Sequence, residues 1–200
     1  VYKITKKSLR ADILSIINKN LSKKKRYNHL IRIALNKKII SISLRKRIKP
    51  KLNFNLKLVK LKREKPEYKN LKYKKILSYL SKIDNSQSDI GLVFNKRLLE
   101  TGTSNLLFVK DQKFFTPKKG YYEGNTYKFF KSKIKKIIKK DILLKEINDY
   151  DEILLLGSGK GVASVRTINE IKWRRKNLEK FRLLSKHYNT VINKCNSYRF

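Results

Sequence analysis

A single carboxylate, Glu100, stands before a run of small polar residues, Thr101, Gly102, Thr103, Ser104 and Asn105, in a chain otherwise dominated by lysine. The apolar runs on either side predict a hairpin that would hold this acid at its edge rather than on a helix. Two further stretches could do chemistry. The Gly-rich GSGKG at 157–161 follows the apolar run EILLL, but it is no P-loop, because the places for the first Gly and the Ser/Thr hold Leu154 and Gly161. It offers backbone N–H groups and the Ser158 hydroxyl, either as a nest for one phosphate or as a plain tight turn. In YEGNTYKFF, Gly124, Asn125 and Thr126 open a predicted helix. Free N–H groups and the helix dipole favour an anion there, and ordinary capping by Asn125 or Thr126 accounts for the same letters. Two anion-competent turns with an acid between strands are what a bound phosphorylated cofactor requires.

The elements that must position these residues can be read from periodicity. Leu9, Ile13, Ile16, Ile17 and Leu21 predict an amphipathic helix over 8–23, with Ser8 as its cap. HLIRIAL, IISISL and NFNLKLV are short and β-branched or alternating, and predict three strands of one α/β layer. The basic segment KREKPE, where Pro66 disfavours helix, reads as a linker. EYKNLKYKKILSYLSKI then predicts a helix, GLVFN and LLE a hairpin across Lys96 and Arg97, and NLLFVKDQKFFTP a second hairpin turning at Asp111 and Gln112. Phe129, Ile134, Ile137 and Ile138 return to a helical period. The end of the chain predicts a long helix with Leu178, Phe181, Leu184, Tyr188 and Ile192 inward.

Two hundred residues are enough for a real core, and the hydrophobic fraction of 40% predicts a globular chain. The charge is unusual, with 52 Lys+Arg against 15 Asp+Glu, formally +37. Such a field gathers polyanions, yet Lys, Ile, Asn and Tyr rise together here, as AT-biased coding alone would produce. The lone Cys195 and two His leave no disulfide framework and no zinc-type ligand set, so no metal is expected and the setting reads as reducing and cytoplasmic. No apolar run approaches the ~18 residues of a membrane span, and no signal peptide opens the sequence.

The order of the motifs supplies what composition does not. A Lys about thirty residues before ETGTSN, followed by a Gly-x-Thr helix start and the EILLLGSGKGVASV strand pair, resembles the class IV aminotransferase family of pyridoxal phosphate enzymes. The resemblance runs over roughly residues 28 to 192. It implies an α/β (α+β) chain of two domains: residues 1–62 as part of a small α/β domain, 63–68 as linker, and 69–200 as a large cofactor-binding domain with a pseudo-barrel of strands flanked by helices. YKNLKYKKIL looks like the segment bearing the Schiff-base lysine, which makes Lys69 that lysine and Tyr73 the partner of the cofactor's phenolic oxygen. Glu100 matches the acid that keeps the pyridinium nitrogen protonated. YEGNT is similar to the Gly-Ile-Thr turn that holds the phosphate, implying Asn125 and Thr126. Ser158 stands where Thr is usual in Gly-Thr-Ala. Asn125 departs from an aliphatic residue, Tyr127 from the usual Arg, and Lys72 from a common Asn. The resemblance begins part way through the small domain, so the front of that domain, with the Arg that would grip the phosphate, is expected to be missing. The chain then reads either as a fragment or as a protein that has lost activity.

The family's chemistry implies that Lys69 acts as general base at the substrate's α carbon while Glu100 sustains the ring as electron acceptor. A small anionic amino substrate suits the positive surroundings, and Arg45 and Arg47 are weak candidates for its carboxylate. Within the family, TSN in place of GTN and the closing WRRKNLEKFRLLSKHYN helix resemble 4-amino-4-deoxychorismate lyase, which releases pyruvate and forms 4-aminobenzoate for folate. A branched-chain or D-amino acid transaminase is the alternative, and either implies a homodimer. From another class, the charge and eleven Tyr suit an RNA-binding protein. Nucleic acid is nevertheless not expected, since the charges are spread and no recognition signature appears.

Overall fold

The computed structural model describes residues 10–22, 27, 29–36 and 39–194. They divide into two units, one within residues 10–47 and one spanning Ile48–Lys194. Ser8, Leu9 and Cys195, named above, lie outside the described residues.

In the first unit a helix, α1 (Arg10–Asn20), accompanies an antiparallel pair, β1 (His29–Leu35) and β2 (Ile40–Lys46). Aliphatic residues face one another across the ladder, Ile33 opposite Ile42 and Ile31 opposite Leu44, a cross-strand packing that stabilises a strand pair.

The second unit is built on one curled sheet. Its strands are β3 (Phe54–Lys60), β4 (Ser88–Phe94), β5 (Arg97–Thr101), β6 (Asn105–Lys110), β7 (Lys113–Pro117), β8 (Ile137–Lys140), β9 (Glu152–Gly157) and β10 (Gly161–Ile168), with a two-residue β11 (Trp173–Arg174) paired to β10. The spatial order is β5-β4-β3-β10-β9-β6-β7-β8. The curl brings its ends together: the Leu98 N–H donates to Ile142 O and the Leu144 N–H to Lys96 O, each at 2.9 Å. Three α-helices belong to this unit: α2 (Lys74–Leu80), α3 (Asn125–Lys131) and α4 (Glu179–Lys194).

Period-two alternation explains how this sheet carries two cores. Leu106, Phe108, Ile153 and Leu155 point inside the curl with Trp173 and Tyr150, while Leu107, Val109, Leu154 and Leu156 point outward. The outward set is covered by Phe130 and Tyr127 of α3 and by Leu184 of α4, with Phe181 and Tyr188 at its border. Ile76 and Leu80 of α2 cover Ile90 and Leu92 in a third cluster. The pseudo-barrel flanked by helices is therefore as expected.

Several expectations are corrected. The third predicted strand does not join β1 and β2 but pairs in parallel with β4 and β10, inside the unit Ile48–Lys194. Phe54 and Leu56 drive this, since both are fully buried in the interior of the curl. The helix predicted from 67 starts only at Lys74, because the Asn70 amide donates to the Glu64 and Lys65 carbonyls and holds a loop instead. The helical period through Ile138 stops at Lys131, and Ile137 and Ile138 enter β8, where β-branched residues pair with Phe114 and Phe115. Like charges at Lys131 and Lys135 and at Lys136 and Lys140, four residues apart, would also have opposed a longer helix. The first hairpin turns at Asn95 and Lys96, one residue earlier than expected, and the second at Asp111 and Gln112; all four have positive φ, as a tight two-residue hairpin requires.

Candidate active site

Glu100 lies on β5 with only 3% of its surface exposed. Its Oε1 accepts the Nε–H of Arg63 at 2.8 Å, and its Oε2 accepts the Tyr122 backbone N–H at 3.4 Å. Burial pushes this carboxyl up from its ordinary range, while the guanidinium and the N–H act in the opposite direction and favour the charged form. Arg63 also reaches the Gly102 carbonyl at 3.5 Å. The segment around Arg63 thus brings a cation onto Glu100.

The same loop carries Lys69. The Asn70 amide fastens it from inside, the Asn70 side-chain Oδ1 accepts the Lys72 backbone N–H at 2.9 Å, and Lys72 pairs with Glu64. Lys72, in place of a common Asn, therefore has a structural partner. Lys69 remains exposed, with its Nζ 6.0 Å from the centre of the Tyr122 ring. Lys69 and Glu100 thus meet at one residue, Tyr122, the amine over its ring and the carboxylate at its backbone N–H. Tyr73 precedes α2 and packs against the Ile76, Leu80, Ile90 and Leu92 cluster.

Tyr122 is held in turn by Asn105 at the start of β6. The Asn105 amide donates to the Tyr122 carbonyl at 2.6 Å, and its oxygen accepts the Gly124 N–H at 2.9 Å. This clamp places the start of α3, with Gly124 as its N-cap, beside the acid. Asn125 is exposed and Thr126 is buried. Tyr127, where an Arg was expected, turns into the core with no surface exposed.

The β9–β10 turn closes with the Lys160 N–H donating to Gly157 O at 3.1 Å, and Ser158 is exposed on it. Gly157 sits so near the β5–β6 loop that an added Cβ would lie 2.4 Å from Ser104 Oγ. The second anion-competent turn is therefore packed directly on the loop that follows Glu100. Arg45 and Arg47 belong to the other unit, and both are exposed.

The donor set fits a pyridoxal phosphate group. It has a buried carboxylate oriented by a cation for a ring nitrogen, an exposed amine on the neighbouring residue for a carbonyl carbon, and two turns with backbone N–H groups for a phosphate. Arg63 and Asn105 were missed in the sequence. Arg63 is one basic residue in a basic segment, and Asn105 looked only like a strand start. Among the described residues no group of His, Cys, Asp and Glu could hold a metal ion, and no helix is long and apolar enough to cross a membrane.

Comparison with known proteins bears on the fold and the family. No curated protein matches the chain. The structure resembles a branched-chain aminotransferase from Thermoproteus uzoniensis (TM-score 0.65, 15% identity, covering 80% of this chain and 60% of that one). It also resembles a branched-chain amino acid aminotransferase from Thermobaculum terrenum in its PLP form (TM-score 0.63, 16% identity, 76% and 55%). A third similar structure is a candidate 4-amino-4-deoxychorismate lyase from Haemophilus somnus (TM-score 0.59, 22% identity, 80% and 83%). At these identities the likeness establishes the fold, and the chain spans 60% or less of the length of the two aminotransferases. The family described as amino-transferase class IV matches residues 2–168. With most of its length matched and its carboxylate, amine and two turns carried on that fold, the chain belongs to the class IV aminotransferases, a family of pyridoxal phosphate-dependent enzymes.

Proposed function

We propose that this chain binds pyridoxal phosphate between Lys69, Glu100 and the turns at Gly124 and Ser158, and that it serves as a 4-amino-4-deoxychorismate lyase. The observation that carries the cofactor reading is the meeting of Lys69 and the Arg63-paired Glu100 at Tyr122. When bound, the cofactor supplies an electron sink for the substrate's α carbon. The chain's own residues do the rest. Lys69 attaches the cofactor and moves the proton at the α carbon; Glu100, kept charged by Arg63, accepts the ring N–H. Tyr73 donates toward the phenolic oxygen. Asn125, Thr126 and Ser158 hold the phosphate through backbone N–H groups and hydroxyls, with Asn105 orienting the first of these turns.

The lyase is favoured by TSN at 103–105 and by the closing helix, both of which resemble lyase-type members. A branched-chain or D-amino acid transaminase is the second reading, because similar structures include both kinds. Either activity is expected of a homodimer acting in the cytoplasm. The test begins with the protein purified in pyridoxal phosphate. A visible absorbance band of lysine-bound cofactor should appear and should be lost in Lys69→Ala; no band, or a band that survives the substitution, refutes the assignment. Pyruvate released from aminodeoxychorismate without an amino acceptor identifies the lyase, and turnover only with an oxo-acid acceptor identifies the transaminase.

A further inference from the structure

Lys160 lies in the Gly-rich turn where a lysine would be expected to face a phosphate, yet its side chain is only 3% exposed and turns away from solvent. Its Nζ lies 3.0 Å from Asp89 Oδ2, donates to Thr103 Oγ1 at 3.2 Å, and sits 4.9 Å from the centre of the Phe54 ring. Asp89, fully buried on β4, is saturated: it also accepts the Thr101 hydroxyl at 2.9 Å, the Thr103 hydroxyl, and the Ile90 N–H at 2.8 Å. Thr101 directly follows Glu100, and its Oγ1 accepts the N–H groups of Thr103 and Ser104. One carboxylate thereby ties the start of the β5–β6 loop to the β9–β10 turn.

A buried ion pair is a poor source of stability, because desolvation of both charges offsets their attraction and apolar replacements are often neutral. What such a pair does supply is a fixed geometry. The turn is gripped at both of its ends, by Gly157 against Ser104 and by Lys160 against Asp89 and Thr103, with Ser158 and Gly159 between the grips. We propose that the Asp89–Lys160 pair is a strut that fixes the Ser158 turn at a set distance from Glu100. Asp89 and Lys160 are then positioning residues for the phosphate of a cofactor whose ring nitrogen meets Glu100. This inference rests on the cofactor reading above.

The experiment compares pyridoxal phosphate with pyridoxal, which lacks the phosphate, by absorbance titration of the full chain and of the variant Asp89→Asn with Lys160→Met. The double change removes both charges together, so neither is left buried without its counter-charge. Pyridoxal phosphate affinity should fall about tenfold or more, the loss of one or two aligned hydrogen bonds to a charged group, while pyridoxal affinity stays within about twofold. Unchanged affinity for both compounds overturns the strut, as does an equal loss for both, which would mark a general effect on the fold. A wild-type chain that binds pyridoxal phosphate no better than pyridoxal overturns the cofactor reading and the strut with it. Should the double variant fail to fold, Thr103→Val decides. It removes from an exposed loop residue the one hydroxyl that bridges Asp89 and Lys160, and it should lower the preference for the phosphorylated compound several-fold; an unchanged preference refutes the strut.

Discussion

Removing Arg63 should expose how much Glu100 depends on it. In Arg63→Met the Glu100 carboxylate, whose side chain is 4% exposed, loses a guanidinium 2.8 Å away whose own side chain is 15% exposed. Breaking a buried pair from one side costs about 3–5 kcal/mol, and the partial exposure of Arg63 places this case near about 3 kcal/mol. The penalty should depend on pH. Glu100 already has a folded-state pKa above its ordinary value of 4.5 because of burial, so the folded state binds its proton more tightly than the unfolded chain, and its stability falls as pH rises above 4.5. Without the cation this upward shift grows, and Arg63→Met should lose more stability at pH 8 than at pH 4, where the carboxyl is largely protonated in both states. Urea unfolding of Arg63→Met, Glu100→Gln and the double variant at both pH values measures this. The two single changes should couple by about 1.5 kcal/mol or more at pH 8. Additivity within about 0.5 kcal/mol, or a penalty that does not change with pH, would refute the claim that Arg63 holds Glu100 in its charged form.

Gly157→Ala should destabilise by about 1–3 kcal/mol in chemical unfolding, because its Cβ would lie 2.4 Å from Ser104 Oγ; adding Ser104→Gly should recover most of the loss, and no recovery would refute the clash. Glu152 is fully buried and accepts the N–H groups of Lys180 and Phe181 at the start of α4. Glu152→Gln should therefore cost about 1–3 kcal/mol in thermal unfolding, and a change below about 0.5 kcal/mol would show that the helix start does not depend on it. Phe108→Ala empties a fully buried site beside Tyr150 and should cost about 3–5 kcal/mol, measured by urea unfolding.

The sequence alone determined the features that depend on neighbours along the chain. Asp111-Gln112 between two apolar runs read as a tight hairpin. The long apolar runs of β6 and β9 had to be strands buried on both faces. The amphipathic period from Leu178 specified α4, and the order of Lys69, Glu100, Gly124-Asn125-Thr126 and Ser158 marked out the family. Where local signals were balanced, tertiary structure decided. Ile137 and Ile138 fit a helix or an edge strand equally well until Phe114 and Phe115 offered a ladder, and β3 changed units because only the curl could bury Phe54 and Leu56. The contacts that give the site its chemistry were the least legible. Arg63 reaches Glu100 across 37 residues and Lys160 reaches Asp89 across 71. In a chain with 52 Lys and Arg, no local pattern distinguishes those two cations from the rest. What distinguishes them is burial against a carboxylate, which exists only once the sheet has closed around it.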